Sequence, residues 1–212
     1  QIVSSLCIDE LPPTSKMIIS TSKLTFGCAI LMASVLQAQT PVVINEYNHD
    51  DSGGDNQEFV ELYANVTTDI SGWTLNGEDG TSANTSNGSL TIPSGTTLNA
   101  GEFYLISDDL DPAIVDLSIT GVSLENGADG LYLADATGTV IDSVIWEFAD
   151  WTNPVPSWIE GTGIYGAIQL HENTRFNSAS RSSDGKDTNV NGCDFIVKEW
   201  SPGASNNGGF RS

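Results

Sequence analysis

The sequence predicts an all-β domain, and three observations support this. Short runs of apolar and β-branched residues recur through the chain, separated by turn dipeptides such as Asn76-Gly77, Asp79-Gly80 and Asn126-Gly127. Twenty-one glycines and eight prolines suit many short strands joined by tight turns. The sequence between the runs has no amphipathic helical pattern, which favours a sandwich or barrel over an α/β sheet.

Eight strands are predicted in chain order. They cover residues 42–47, 58–63, 70–75, 90–92, 102–107, 130–135, 139–146 and 167–171. The runs 130–135 and 139–146 are expected to form a hairpin, because Ala136-Thr137-Gly138 between them has the composition of a tight turn.

The first 38 residues are expected to lie outside the folded domain. Met17 is the first methionine, Lys23 supplies a positive charge, and residues 24–36 form an apolar run that is soon followed by the small residue Ala38. This order is typical of a secretory signal peptide, and the run is shorter than the roughly 20 residues needed to span a bilayer. The alternative is a buried core helix.

The chain therefore divides into four predicted segments. Residues 1–16 are an upstream extension or fragment end, 17–38 a signal peptide, 39–206 the β domain, and 207–212 a linker-like tail. The predicted location is extracellular or at the cell surface, with no membrane span. Cys193 is the only cysteine after residue 38, so we expect no disulfide within residues 39–212.

The charge balance narrows the classes of partner. The chain has 28 acidic and 7 basic residues, for a formal net charge of −21. Such a surface repels nucleic-acid phosphates and anionic lipids, because both are bound through Lys and Arg. We therefore expect no direct nucleic-acid binding. The charge favours solubility and cations, and a solvated acidic exterior without a specific role is the simpler explanation.

The loop between the first two predicted strands is the best candidate for a metal site. Hard cations take several oxygen ligands from a backbone that curls around them. Asp50, Asp51, Asp55 and Glu58 supply carboxylates there, and two glycines between them allow the curl. Ca²⁺ is the one cofactor that this pattern predicts, although the spacing does not match an EF-hand and such residues also form plain turns. Residues 184–189 form a second, looser acidic cluster.

Three tryptophans are candidate ligand-binding residues. Trp146, Trp151 and Trp158 flank an irregular segment that contains two prolines. Exposed indoles there could stack on sugars or contact a protein partner, although large aromatic side chains more often pack in a core or against a loop. Trp73, within a predicted strand, is expected in the core.

Catalytic patterns are weak in this sequence. Residues 161–166 match a dinucleotide-binding glycine pattern but lack the preceding strand and following helix, so they are interpreted as a glycine-rich loop. The two histidines are His49, where neighbouring carboxylates would favour the protonated form, and His171, at a strand end. Two surface histidines are a simpler interpretation than a Ser–His–Asp set, so no catalytic residue is predicted.

Several segments, taken together, resemble the lamin tail domain family. The opening consists of Val42-Val43-Ile44-Asn45-Glu46-Tyr47, then residues 58–63 and 70–75; residues 92–104, 122–133, 194–195 and 201–206 resemble later parts of the family. The order and spacing of these short motifs carry the resemblance, which covers nearly all of residues 40–206. It implies an immunoglobulin-like β-sandwich of a type common in secreted bacterial proteins.

The resemblance also implies a non-catalytic role. The expected function is a binding or spacing module at the cell surface or in an extracellular protein, with an unknown protein or glycan as partner. The opening residues 44–50 and 58–61 are closest to versions that precede catalytic domains, so an accessory N-terminal domain of a truncated secreted nuclease or phosphatase is one alternative. A Ca²⁺-stabilised adhesion module and a stand-alone enzyme are two others, and fold analogy does not decide among them.

Overall fold

The structure is a computed structural model, and it describes residues 39–50, 54, 56–82, 86–161 and 176–207. The chain divides into two units, Gln1–Ala38 and Gln39–Ser212, and every described residue lies in the second. The predicted signal peptide, the strand at 167–171 with His171, and most of the glycine-rich loop at 161–166 lie outside the described residues.

Eleven strands, one 3-10 turn and one short helix make up the regular structure of the described residues. The strands are β1 (Val42–Asn48), β2 (Phe59–Ala64), β3 (Thr68–Asp69), β4 (Thr74–Asp79), β5 (Ser86–Thr91), β6 (Thr97–Leu98), β7 (Phe103–Ile106), β8 (Asp129–Ala134), β9 (Val140–Trp146), β10 (Asn177–Arg181) and β11 (Phe195–Glu199). The 3-10 turn is Phe148–Asp150, and the helix α1 is Asn191–Asp194.

The strands form two main antiparallel sheets. The five-stranded sheet has the order β11-β10-β1-β2-β7, and the four-stranded sheet has the order β5-β4-β8-β9. Strands β3 and β6 pair separately as a two-stranded ribbon. The all-β prediction is confirmed, and β8 and β9 pair as the predicted hairpin.

The two sheets share one hydrophobic core. Successive residues of a strand point to opposite faces of its sheet, so each strand contributes alternate side chains to the core. Ile44 and Leu62 from the five-stranded sheet, and Leu75 and Leu131 from the four-stranded sheet, are fully buried in one cluster. Burying such a side chain contributes about 1.5–3 kcal/mol relative to leaving it exposed. Trp73 is 7% exposed in the same cluster, as expected.

The segment that follows β9 covers the outer face of the four-stranded sheet. Gly130 precedes the core residue Leu131, so it faces outward. A Cβ at Gly130 would lie 3.0 Å from the ring of Trp158, and a Cβ at Gly80 would lie 2.4 Å from the ring of Trp151. Both indoles therefore pack where the absence of a side chain leaves room for them.

Most predicted strand boundaries agree with the structure to within one residue, namely those of β1, β2, β7, β8 and β9. The predicted strand 70–75 is wrong in its first half, because residues 71–72 form a turn in which Gly72 has a φ of 73°, and β4 begins at Thr74. Strand β5 spans Ser86–Thr91 rather than 90–92.

Two further observations bear on earlier expectations. Among the described residues, no helix has the length and apolar character required to span a membrane. Cys193, within α1, is disulfide-bonded.

Candidate functional site

A buried ion pair joins the two sheets at the edge of the core. Asp142 on β9 and Arg181 on β10 are both 0% exposed. Nη2 of Arg181 lies 2.9 Å from Oδ1 and 2.8 Å from Oδ2 of Asp142. Because β9 belongs to the four-stranded sheet and β10 to the five-stranded sheet, the pair spans the sandwich.

The same ion pair completes the hydrogen bonding of β1. The main-chain nitrogen of Ile44 donates to Oδ2 of Asp142 at 2.5 Å, and Nε of Arg181 donates to the carbonyl oxygen of Ile44 at 2.8 Å. The pairing of β1 with β2 shifts register between Ile44 and Glu46, and β1 pairs with β10 only at Glu46 and Tyr47. The ion pair therefore takes the place of a neighbouring strand at Ile44, where an unsatisfied buried group would cost about 1–3 kcal/mol.

Further carboxylates surround this pair. Nη1 of Arg181 lies 3.7 Å from Asp187 and 3.6 Å from Asp194. One carboxylate oxygen from each of Asp142, Glu160 and Asp187 lies within 4.8 Å of the other two. These three residues are called the acidic cluster from here on. They come from β9, from the segment over the outer face of the four-stranded sheet, and from the loop after β10.

The acidic cluster holds its carboxylates close together in a largely buried position. Burial, and next the charges of Asp142 and Asp187, raise the pKa of Glu160 to about 10. Glu160 also lines a surface cleft of about 300 Å³, together with Trp158 and Asn189. The cluster is thus enclosed by the core on one side and reaches a cleft on the other.

A second polar network lies on the outer face of the five-stranded sheet. Glu46 on β1 and Glu61 on β2 are directly opposite each other and are both 0% exposed. Burial raises the pKa of both carboxyls. The main-chain nitrogen of Ser201 donates to Glu46 at 2.8 Å, and that of Gly203 donates to Glu61 at 2.5 Å. We call the two glutamates and residues 201–206, which cover them, the C-terminal clasp.

Neighbouring side chains extend the C-terminal clasp. Nδ2 of Asn45 lies 3.2 Å from Glu61 and 3.1 Å from Asp184, and Asp184 accepts a hydrogen bond of 2.9 Å from the main-chain nitrogen of Asn206. Residues 45–46, 61 and 201–206 are far apart in the sequence, yet they meet in this single network. They lie in the first, second and last of the motifs that carry the sequence resemblance.

Comparison with protein families agrees with this arrangement. The family model described as Lamin Tail Domain matches residues 36–147, which is more than half of the chain. The chain belongs to the lamin tail domain family. No curated protein matches it. Together with the two antiparallel sheets, the match confirms the predicted lamin-tail type of immunoglobulin-like β-sandwich.

The first of the three candidate tryptophans lies inside the lamin tail domain. Trp146 is 0% exposed, and its ring centroid is 5.2 Å from that of Tyr47 and 4.6 Å from that of His49. Its Nε1 donates to the carbonyl oxygen of Glu125 at 3.0 Å. Its position on β9 directs Trp146 into the core, which the sequence analysis gave as the more common position of a large aromatic side chain.

Trp151 and Trp158 are partly exposed on the outer face of the four-stranded sheet. Trp158 stacks on Tyr132, with ring centroids 5.2 Å apart, and its carbonyl oxygen accepts a hydrogen bond of 2.7 Å from Ser143. Trp151 packs against Gly80, and its buried Nε1 has no hydrogen-bond partner. Both rings support the fold, while the exposed part of Trp158 faces the cleft. Their role in ligand binding stays a prediction.

The acidic loop of the lamin tail domain is described only in part. Asp50 accepts a hydrogen bond of 3.2 Å from Nδ2 of Asn126, and the main-chain nitrogen of Glu58 donates to Asp109 at 3.0 Å. Asp51 and Asp55 lie outside the described residues. The predicted Ca²⁺ site in this loop therefore stays a prediction.

His49 differs from its predicted state. It is 1% exposed rather than on the surface, and burial lowers its pKa to about 3 instead of the loop carboxylates raising it. Its Nδ1 is buried without a hydrogen-bond partner, and its ring packs against Trp146. A general base needs a pKa near the working pH, so His49 is poorly suited to that role.

Proposed function

We propose that this chain is a secreted, non-catalytic lamin tail module that binds a partner or acts as a spacer at the cell surface or in an extracellular protein. The observation that carries the proposal is that the buried polar groups of the chain stabilise the fold. Glu46, Glu61 and Asp142 are closed off from solvent and hold strands and the C-terminal segment together. These buried polar residues, two of which lie in the family motifs, thus serve the fold, which leaves recognition to the surface.

The proposed recognition surface is the cleft beside Trp158. Val140, Ile141 and Ile159 give this cleft apolar walls, and Glu160 adds a polar group. An aromatic side chain with apolar neighbours and a few polar groups suits a sugar ring or a side chain of a protein partner. Its volume of about 300 Å³ limits the occupant to a group of that size.

Binding can be tested by probing glycan arrays and extracellular protein arrays with the full chain. If the cleft is the recognition surface, Trp158→Ala should weaken binding of the identified ligand by about tenfold or more, as expected for a central aromatic contact. Phe176→Ala is the matched control, because Phe176 is 44% exposed and lies just before β10, in the other sheet. A folded Trp158→Ala variant that binds as well as the original chain would exclude this surface.

Export can be tested separately by expressing the full chain in a bacterium and sequencing the N-terminus of the exported protein. The proposal predicts a new N-terminus at Gln39. Retention of an uncleaved chain in the cytoplasm would contradict the proposal.

A Ca²⁺-stabilised adhesion module is a second candidate, and the acidic cluster is the observation that favours it. Adhesion that is lost in a chelator and restored by Ca²⁺ would support this candidate. Adhesion that is the same in chelator and in Ca²⁺ would remove it.

A further inference from the structure

We propose that Asp142, Glu160 and Asp187 form a binding site for a divalent cation, with Ca²⁺ as the ion of the right size. This acidic cluster is distinct from the loop of Asp50 and Glu58 that the sequence suggested. The inference goes beyond the proposed function, because it does not depend on export or on the partner.

The separation of the three carboxylates fits a single ion. Ca²⁺ binds oxygen ligands at about 2.3–2.6 Å, so two ligands of one ion can be up to about 5 Å apart. The oxygens of the acidic cluster all lie within 4.8 Å of one another. They are hard ligands, which Ca²⁺ prefers.

The carboxylates of the cluster have acceptor positions left for an ion. Asp142 accepts two hydrogen bonds from Arg181 and one from Ile44, and its side chain also contacts that of Glu160, a contact that a shared cation would replace. Asp187 accepts hydrogen bonds from the hydroxyl of Thr40 and the main-chain nitrogen of Asn189. The side chain of Asp187 is only 3% exposed, so solvent does not readily fill the remaining positions.

Two buried oxygen atoms at this place lack any partner, and they are the second observation behind the proposal. Oε2 of Glu160 is buried and accepts no hydrogen bond. Asn191 is 0% exposed, its Nδ2 donates to the carbonyl oxygen of Glu160 at 3.4 Å, and its Oδ1 has no partner. Buried polar atoms are nearly always satisfied, so an unpartnered oxygen of the cluster itself, and another on a side chain bonded to the main chain of Glu160, point to a missing positive ligand.

The charges around the cluster lead to the same conclusion. Apart from Glu160, the carboxylates of Asp142, Asp187 and Asp194 contribute three negative charges, while Arg181 and Lys186 contribute two positive charges. The remaining negative charge favours the binding of a cation. The cleft that Glu160 and Asn189 line gives such an ion a path from solvent.

Calcium binding can be measured on the full 212-residue chain after removal of metal with a chelator. We expect isothermal titration with CaCl₂ to show one site that Glu160→Gln weakens at least tenfold. At a Ca²⁺ concentration of about a hundred times the Kd, the Tm of the original chain should rise by about 5–10 °C. Glu160→Gln keeps the size of the side chain, and circular dichroism in chelator checks that the variant is folded.

Two further variants separate the acidic cluster from the acidic loop. Asp187→Asn should also weaken the site, whereas Asp50→Asn should leave both the Kd and the Tm shift unchanged. The absence of Ca²⁺ binding by the original chain would overturn the proposal. So would Ca²⁺ binding that survives Glu160→Gln and Asp187→Asn, or that only Asp50→Asn removes, because the ion would then lie elsewhere.

Discussion

The sandwich buries carboxylates in two places by different means. At the edge of the core, Asp142 faces Arg181 at 2.8 Å, so a full positive charge compensates for the loss of solvent. On the outer face of the five-stranded sheet, Glu46 and Glu61 face each other, and no Lys or Arg of the described residues forms an ion pair with either. Main-chain and side-chain donors satisfy them instead.

This difference shows how a strongly acidic chain can fold without many basic residues. The Coulomb attraction within a buried ion pair stabilises the folded chain, but mutation of one partner leaves the other as an unpaired buried charge, which is strongly destabilising. A carboxyl held by neutral donors can instead take up a proton, because burial raises its pKa. The two networks should therefore respond differently to mutation, to pH and to salt.

The largest effect is expected from loss of the guanidinium. Arg181→Met should lower the free energy of unfolding by about 3–5 kcal/mol, because Asp142 would stay buried without a cation and Ile44 would lose a hydrogen bond. Urea denaturation measures this change. The double variant Arg181→Met with Asp142→Leu should recover part of the loss, since it removes the unpaired charge. A loss below about 1 kcal/mol in the single variant would contradict the role given to this ion pair.

A pH profile should reveal the C-terminal clasp. Burial, and next the charge of Glu46, raise the pKa of Glu61 well above its ordinary value of 4.5. Above about pH 4.5 the unfolded chain loses this proton while the folded chain keeps it, so the contribution of Glu61 to stability falls as the pH rises. The slope is at most about 1.4 kcal/mol per pH unit and ends at the folded pKa.

The measurement is the difference in free energy of unfolding between the original chain and Glu61→Gln. This difference should fall as the pH rises above about 4.5 and level off once the raised pKa of folded Glu61 is passed, because Gln cannot titrate. Glu102→Gln is the control: Glu102 is exposed, and hydrogen bonding by Asn99 lowers its pKa, so its difference should be flat over the same range. If the difference for Glu61→Gln does not change with pH, the carboxyl of Glu61 is ionised in the folded chain and the prediction is wrong.

The sequence predicted the parts of the sandwich whose strands are rich in apolar residues. β1, β2, β8 and β9 were found because they are short runs with apolar and β-branched residues, bounded by turn residues. β10 was missed because its residues, Asn177–Arg181, are almost all polar although Ser178 to Arg181 are fully buried. The prediction of strands depended on apolar side chains, so a strand buried through hydrogen bonds and an ion pair gives no such signal.

The candidate sites could be predicted only in part for a related reason. Asp187 lies within the second acidic cluster seen in the sequence, but Asp142 and Glu160 join it through folding, 45 and 27 residues earlier in the chain. The spacing of residues in the sequence does not reveal which strands of the two sheets lie against each other across the sandwich. The opposition of Glu46 and Glu61 likewise depends on a register shift after Ile44 that no local pattern announces.

The smallest expected effect concerns salt. Lys186 is 37% exposed, and its Nζ lies 3.5 Å from Asp194, so Lys186→Met should lower stability by less than about 1 kcal/mol. In about 1 M NaCl this loss should vanish, because the screening length shortens to about 3 Å. Ser178→Ala is the comparison, since it removes a neutral donor 2.5 Å from buried Glu46 and should lose about 1 kcal/mol at any salt concentration. Urea denaturation at low and high salt measures both losses. If the two losses depend equally on salt, the two networks do not differ in being held by charge pairs and by neutral donors.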